Sequence, residues 1–252
     1  MNRIRTIGVV LLALFAFSAV VATAAQAEEQ GPYWSIEGTR LAAGKTFEVA
    51  AKQIGAQTLS AKPDAVACSS LSWAPGSVLL GSNGSEPGKA DATITYKGCT
   101  VTGNGEECEI ENGEVKTVPL SAEPAYSSNK KSVVLEFKPT TGKTLATIKF
   151  TGTCTISPST TVAGEVVAGV LTDAEPPVLL ELGTTPPQAT SFLLKLTNKA
   201  KEKIFLVKGG TGTEVETEEV TAFGHSGSLG GISLISLAVK GTTVTKSWSL
   251  LY

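Results

Sequence analysis

Histidine occurs once in this chain, methionine once, tryptophan three times and cysteine four times. The single histidine, His225, restricts nucleophilic catalysis. In "AFGHSGSLGG", Gly224-His225-Ser226-Gly227 follows the G-x-S-x-G elbow until Ser228 replaces the last glycine. Enzymes built on that elbow need a histidine after the serine, and none follows. A glycine-rich turn carrying a surface histidine is the expected reading. Zinc sites pair cysteines two to four residues apart, often with histidines. Here the closest pair, Cys99 and Cys108, has eight residues between them. No metal site, cofactor site or catalytic residue is expected.

Basic residues are not in excess either, with 21 Lys and Arg against 23 Asp and Glu. Nucleic acid and anionic lipid both call for a basic footprint, so neither is an expected partner. Aromatic residues make up 6% of the chain, too few for the platforms of a sugar cleft or the girdles of a membrane barrel.

The chain has one long apolar run, at its start. Arg3 and Arg5 precede an apolar stretch from Ile7 to about Ala24, and Ala25-Gln26-Ala27 is an A-x-A cleavage site. Residues 1–27 therefore read as a secretory signal rather than an anchor. Cleavage after Ala27 removes Arg3 and Arg5 and no acid, leaving 225 residues and a net charge of −4. The expected product, residues 28–252, is a secreted extracellular protein with no membrane attachment.

Thr, Val, Ser and Gly dominate the remainder. Short runs with period-two alternation, such as "ADATITYKG" (90–98), "SVVLEFKP" (132–139), "LATIKFTG" (145–152) and "SFLLKLT" (191–197), are bounded by Gly, Pro or Asn. The expected fold is all-β, an antiparallel sandwich or barrel-like arrangement of many short strands behind the signal helix. "RLAAGKTFEVAAKQIGA" (40–56) is the strongest helical candidate, but Gly44 and Gly55 divide it into strand-like pieces. Residues 173–188 carry two Pro-Pro pairs. They read as a crossover between two sheets of one domain, or as a seam between two lobes.

Four cysteines in an exported chain point to two disulfides, with three possible pairings. In "YKGCTVTGNGEEC", a strand, a Gly-Asn-Gly turn and a return strand "ECEI" predict a hairpin that sets Cys99 against Cys108, leaving Cys68 with Cys154. Chain entropy then gives about 2.7 kcal/mol for the short loop and about 4.6 kcal/mol for the long one. The wide spacing lacks the close C-x-x-C of redox motifs.

Acidic clusters invite other readings. Glu109, Glu111 and Glu114 in "ECEIENGEV" resemble the E-x-D-x-x-E strand of laminarinase-type glycosidases, but Glu replaces the middle Asp and Asn112-Gly113 turns the chain. A solvated hairpin edge is expected. Glu214, Glu216 and Glu218 lack the D-x-D-x-D-G calcium loop and read as an exposed strand face. Both GKT triplets, 44–46 and 142–144, lack the upstream glycine of a phosphate loop and are turns. Asn83-Gly84-Ser85 is a glycosylation sequon only in a host with that machinery.

Three stretches together resemble a family of uncharacterised secreted β-rich proteins of soil-type actinobacteria. They are Trp34-x-x-x-Gly38-x-x-Leu41-x-x-Gly44, a Gly98-Cys99-Thr100-Val101 hairpin with a second cysteine, Cys108, followed by the strand Lys116-Thr117-x-Pro119-Leu120, and Gly152-Thr153-Cys154 ahead of Val162-x-Gly164. The resemblance implies an exported β protein without an assigned activity and transfers no catalytic residue. The leading expectation is a non-catalytic extracellular binding or structural protein whose partner is a cell-wall polysaccharide or an extracellular protein. A carbohydrate-binding module or carbohydrate-active enzyme is the first alternative. An outer-membrane-type barrel is the second, suggested by the alternation of Trp248, Leu250 and Tyr252; the competing expectation there is a last strand that closes the sheet and docks its aromatics in the core.

Overall fold

The computed structural model describes residues 32–82, 86–104, 107–154, 156, 158–181, 188–196, 201–208 and 211–251. The signal segment 1–27, the sequon at Asn83 and Tyr252 lie outside them. In chain order the strands are β1 (Tyr33–Ile36), β2 (Thr39–Arg40), β3 (Thr46–Ala61), β4 (Asp64–Trp73), β5 (Val78–Leu80), β6 (Lys89–Ala92) and β7 (Ile94–Thr102). There follow β8 (Glu109–Ile110), a 3-10 turn (Glu111–Gly113), β9 (Glu114–Lys116), β10 (Leu120–Ser127), β11 (Val133–Pro139), β12 (Thr144–Thr151), β13 (Ser159–Ala163) and β14 (Val166–Thr172). The last are β15 (Ser191–Leu196), β16 (Lys203–Lys208), β17 (Thr211–Glu216), β18 (Thr221–Ala222), β19 (His225–Ser226), β20 (Ser228–Val239), β21 (Thr242–Thr243) and β22 (Trp248–Leu251). Residues 40–56, the helical candidate, lie within β2, β3 and the turn between them.

Eight strands close a barrel. β3, β5, β6, β10, β11, β14, β15 and β20 neighbour one another in that order, and β20 pairs back onto β3. Every one of these ladders is antiparallel. Barrel strands follow sequence order, so the closed wall is a meander with insertions, and closure removes the open edges that invite aggregation. The insertions β4, β7 to β9, β12 to β13 and β18 to β19 continue the wall past one end. There β4 pairs with the far half of β3, and β12 pairs with β8 and β13. A three-stranded sheet, β2-β1-β22, caps the other end. Trp248 and Leu250 of β22 are buried, as a last strand docked in the core should be, but β22 pairs with β1 rather than joining the barrel wall.

Alternation sets which side chains enter. Along β12, Ile148 and Phe150 are buried while Thr147, Lys149 and Thr151 are exposed, the period a half-buried strand requires. Along β11, Val133, Leu135 and Phe137 face inward, putting Glu136 and Lys138 on the outer face. The outer face also carries Glu48, Lys52, Lys89, Asp91 and Lys195. On that outer side the β16–β17 hairpin packs Ile204 against Ala125, Val134 and Val167 as a small second core.

The disulfides correct the hairpin expectation: Cys68 is bonded to Cys99 and Cys108 to Cys154. "ECEI" does not return along β7. One edge of β7 is taken by β4, where Cys68 stands directly opposite Cys99, and the other by β9. Asn112 (φ 56°) and Gly113 (φ 61°) turn the chain, so the strand that comes back to β7 is Glu114–Lys116. β8 pairs with β12 instead, which brings Cys108 to the end of β12 near Cys154.

Of the proline-rich stretch 173–188, residues 182–187, with the second Pro-Pro pair, lie outside the described residues. The stretch lies between β14 and β15, which are adjacent strands of the barrel. Leu180 is tied into the wall, its N–H donating to Val170 O and its carbonyl accepting from Val133 N–H.

Candidate functional site

The acidic residues singled out in the sequence stand on the surface and meet lysines. Glu109, Glu111 and Glu114 are all exposed. Glu111 lies 3.7 Å from Lys149 and Glu114 lies 3.6 Å from Lys97. The 3-10 turn separates Glu109 from Glu114, so the three carboxylates share no strand face. Glu214 pairs with Lys203 at 2.9 Å, Glu216 with Lys201 at 3.7 Å, and Glu218 with Lys143. Bonding to their glutamates raises the Lys143 and Lys203 pKa values above the ordinary one. His225 is exposed beside a two-residue hairpin turn in which Phe223 and Gly224 both have positive φ. Both GKT triplets are turns, with Gly44 at φ 71° and Gly142 at φ 67°. Among the described residues, no group of three or more His, Cys, Asp or Glu side chains is placed to hold a metal ion.

A charged cluster that the sequence did not announce lies on the outer wall. Glu123 of β10 and Glu136 of β11 stand directly opposite each other, and both are almost fully buried. Opposed like charges destabilise a ladder unless they are bridged. Lys138 Nζ lies 3.0 Å from Glu123 and 3.3 Å from Glu136, and Lys89 Nζ sits 2.6 Å from Glu123. For Glu123, burial pushes the pKa up, but the hydrogen bonds and charges of Lys89 and Lys138 outweigh it and hold the carboxyl below its usual range. For Glu136, burial wins with help from Glu165 and Glu123, and Lys138 only partly offsets it, so its pKa is raised.

The two glutamates therefore act on stability with opposite sign. Ionised Glu123 stabilises the fold above the ordinary carboxylate pKa, and that contribution fades as pH falls through its lowered folded value. Glu136 favours its protonated form, so stability is lost as pH rises from the ordinary value through its raised one. At pH 7, Glu123→Gln is expected to cost about 1–2 kcal/mol, since the lysines it leaves are partly solvated. Glu136→Gln should be neutral or stabilising by up to about 1 kcal/mol. Urea unfolding of both variants between pH 4 and pH 8 checks the signs.

The enclosed space is chemically different. Between the barrel and its extension lies a cavity of about 100 Å³ whose wall includes Trp73, Phe137, Ile148, Leu194, Tyr96 and Gln57. Trp73 meets Phe137 edge-on, with ring centroids 6.2 Å apart. Tyr96 is the one titratable side chain among the described lining residues, as Cys68 is held in its disulfide. Burial in apolar surroundings pushes the Tyr96 pKa up to about 12, so its hydroxyl stays protonated at any physiological pH.

Gln57 reaches this wall from an irregular part of β3. The ladders to β4 and β20 both slip register around Gly55 (φ 81°), and two buried amides hold the break. Gln53 donates to Cys68 O and Gln57 donates to Ile232 O, each at 2.9 Å. Among the described residues, neither Oε1 has a hydrogen-bond partner. Gly231 is required opposite, because a Cβ there would sit 2.2 Å from Gln57 Oε1. Sequence reading missed Tyr96 and Gln57. A tyrosine in phase with Ile94 in "TITYKG" was the available signal, whereas a glutamine in a strand carries none.

A wider surface groove of about 550 Å³ runs past the stacked rings of Phe150 and Phe223. Its Thr160 hydroxyl is already engaged by the Phe223 N–H at 2.9 Å.

Fold and cavity together define an antiparallel eight-stranded barrel with an apolar interior, a size of barrel that can hold one small ligand. Protein-family models, curated proteins and solved structures contain no match to this chain.

Proposed function

We propose that the chain is exported by cleavage after Ala27 and works outside the cytoplasm as a non-catalytic binding protein, its disulfides locking a barrel built to enclose a ligand. The observation that carries this reading is the separation of charge from cavity. Glu123, Glu136, Lys89 and Lys138 stand on the outer wall in ion pairs, while the described lining of the cavity is mostly apolar and carries no Asp, Glu, Lys, Arg or His. Two disulfides fit an oxidising compartment. The resemblance to secreted β-rich proteins of actinobacteria points the same way. The exposed faces are where a wall polysaccharide or an extracellular protein would be met.

The carbohydrate alternative has weaker support. Trp34, Trp73 and Trp248 are all buried, and none offers a stacking face to a sugar. A membrane barrel would need an apolar outer band, whereas here lysines and glutamates occupy the outer wall. Expression of the full chain in a secreting host tests the proposal. Expected are a soluble product beginning at Glu28 in the culture fluid and its intact retention by wall polysaccharide or extracellular protein. Recovery only in membranes, or release of cleaved products from either material, would overturn it.

A further inference from the structure

We propose that the cavity is a binding site for a small apolar alcohol or phenol, a molecule of about the size of a benzene ring bearing one hydroxyl. The inference rests on the binding-protein reading above and names its ligand class.

Three observations converge. The first is size. Close-packed interiors keep few voids larger than a water molecule. A space of about 100 Å³ approaches the roughly 150 Å³ apolar cavity known to stay dry and to take up benzene.

The second is chemistry. Trp73, Phe137, Ile148 and Leu194 supply apolar surface, and two polar side chains, Tyr96 and Gln57, share the same wall. Tyr96, half-buried, belongs to this wall, and its raised pKa keeps the hydroxyl a neutral donor and acceptor. Gln57 is 4% exposed, and its Oε1 is an acceptor without a donor among the described residues. Buried polar groups are ordinarily satisfied, and leaving them bare is costly. A ligand hydroxyl donates one hydrogen bond and accepts another, so it can use either group. A carboxylate or ammonium finds no counter-charge on this wall.

The third is access. Most of the lining is buried, but Tyr96, Thr117, Leu196 and Leu229 are half-buried and Thr58 is exposed. The cavity wall thus reaches the surface beside Gly230 and Gly231. Gln57 is held there by its bond to Ile232 O, so one fixed polar group stands near the way in.

The experiment uses the mature disulfide-bonded protein with phenol, p-cresol, toluene and glycerol as probes, read by calorimetric titration and by amide and indole chemical shifts. Phenol and p-cresol should bind saturably, toluene more weakly and glycerol not at all, with shifts centred on Trp73 and Tyr96. Tyr96→Phe should lower phenol affinity about ten-fold, the scale of one hydrogen bond, and leave toluene binding unchanged. Ala146→Leu, which adds bulk to the wall, should weaken every probe. If that variant does not fold, the Tyr96→Phe comparison decides alone. Absence of saturable binding by the wild-type protein overturns the proposal, as does an unchanged phenol-to-toluene preference in Tyr96→Phe. Retention of the intact protein by polysaccharide or protein in the same preparation would leave the binding-protein reading standing. Chemical conversion of a probe would remove both.

Discussion

Removing the Cys68–Cys99 bridge as Cys68→Ala/Cys99→Ala is expected to lower the unfolding free energy by about 4 kcal/mol, and Cys108→Ala/Cys154→Ala by about the same amount. The loops closed are 31 and 46 residues long by sequence separation. Loop entropy depends on the logarithm of length, so the two should differ by only about 0.4 kcal/mol. Pairing across the Gly-Asn-Gly turn would instead have made one bridge far weaker than the other. The crossed variant Cys99→Ala/Cys108→Ala breaks both bridges and should lose about as much as removing all four cysteines. Urea unfolding at neutral pH measures all of these. A crossed variant that lost only one bridge's worth would contradict the pairing. Each loss is a large share of a typical domain's stability, so growth at reduced temperature suits these variants.

The second large effect lies at the capped end of the barrel. Trp248→Ala should cost about 3–5 kcal/mol, the range for deleting a buried aromatic ring. The indole packs edge-on against Phe192, with centroids 4.8 Å apart, and lies 5.9 Å from the Trp34 ring. Its Nε1 donates to Thr190 O at 3.3 Å. β22 supplies the long antiparallel partner of β1, so the damage spreads. Loosening β22 frees Trp34, whose own indole N–H donates to Lys89 O at the start of β6. The melting temperature should fall by on the order of 10 °C. Scanning calorimetry checks it, and a loss below about 1 kcal/mol would show that the cap does not seal the barrel.

These effects also mark how far the sequence could be read. Strand character was legible because apolar alternation in stretches such as "LATIKFTG" records which face is buried. That the strands close into a barrel was legible only as one of two options. Closure depends on β20 meeting β3 across more than 160 residues of chain, and no local pattern encodes it. The cysteine pairing went astray for a physical reason at Gly98. Strict alternation from Ile94 and Tyr96 would place Cys99 on the opposite face. Gly98 (φ 59°) slips the phase, so that Tyr96 lines the cavity and Cys99 is also buried, facing Cys68. A side chain at 98 would collide with Ser69 Oγ at 2.2 Å, so the slip depends on glycine. The strand that returns to β7 follows the Asn112-Gly113 turn, and Gly105 of the Gly-Asn-Gly signal lies outside the described residues.

The site was less legible than the fold. Glu109, Glu111, Glu114, His225 and the 214–218 acids drew attention because their residue types carry chemistry, and all are solvated or ion-paired. Tyr96 and Gln57 gain their significance only from tertiary placement. Glu123 and Glu136 are similar, since each looks like an ordinary outward-facing strand residue until β10 and β11 are brought into register.

The most direct test of a barrel with an accessible apolar interior is xenon binding in pressurised crystals. Xenon reports dry, apolar volume without regard to hydrogen bonding. An ordered xenon atom is expected between Trp73, Phe137 and Ile148, with Ala146→Leu reducing its occupancy. Crystals that take up xenon only at the surface, or that show ordered water filling this space, would contradict an interior built to hold an apolar ligand.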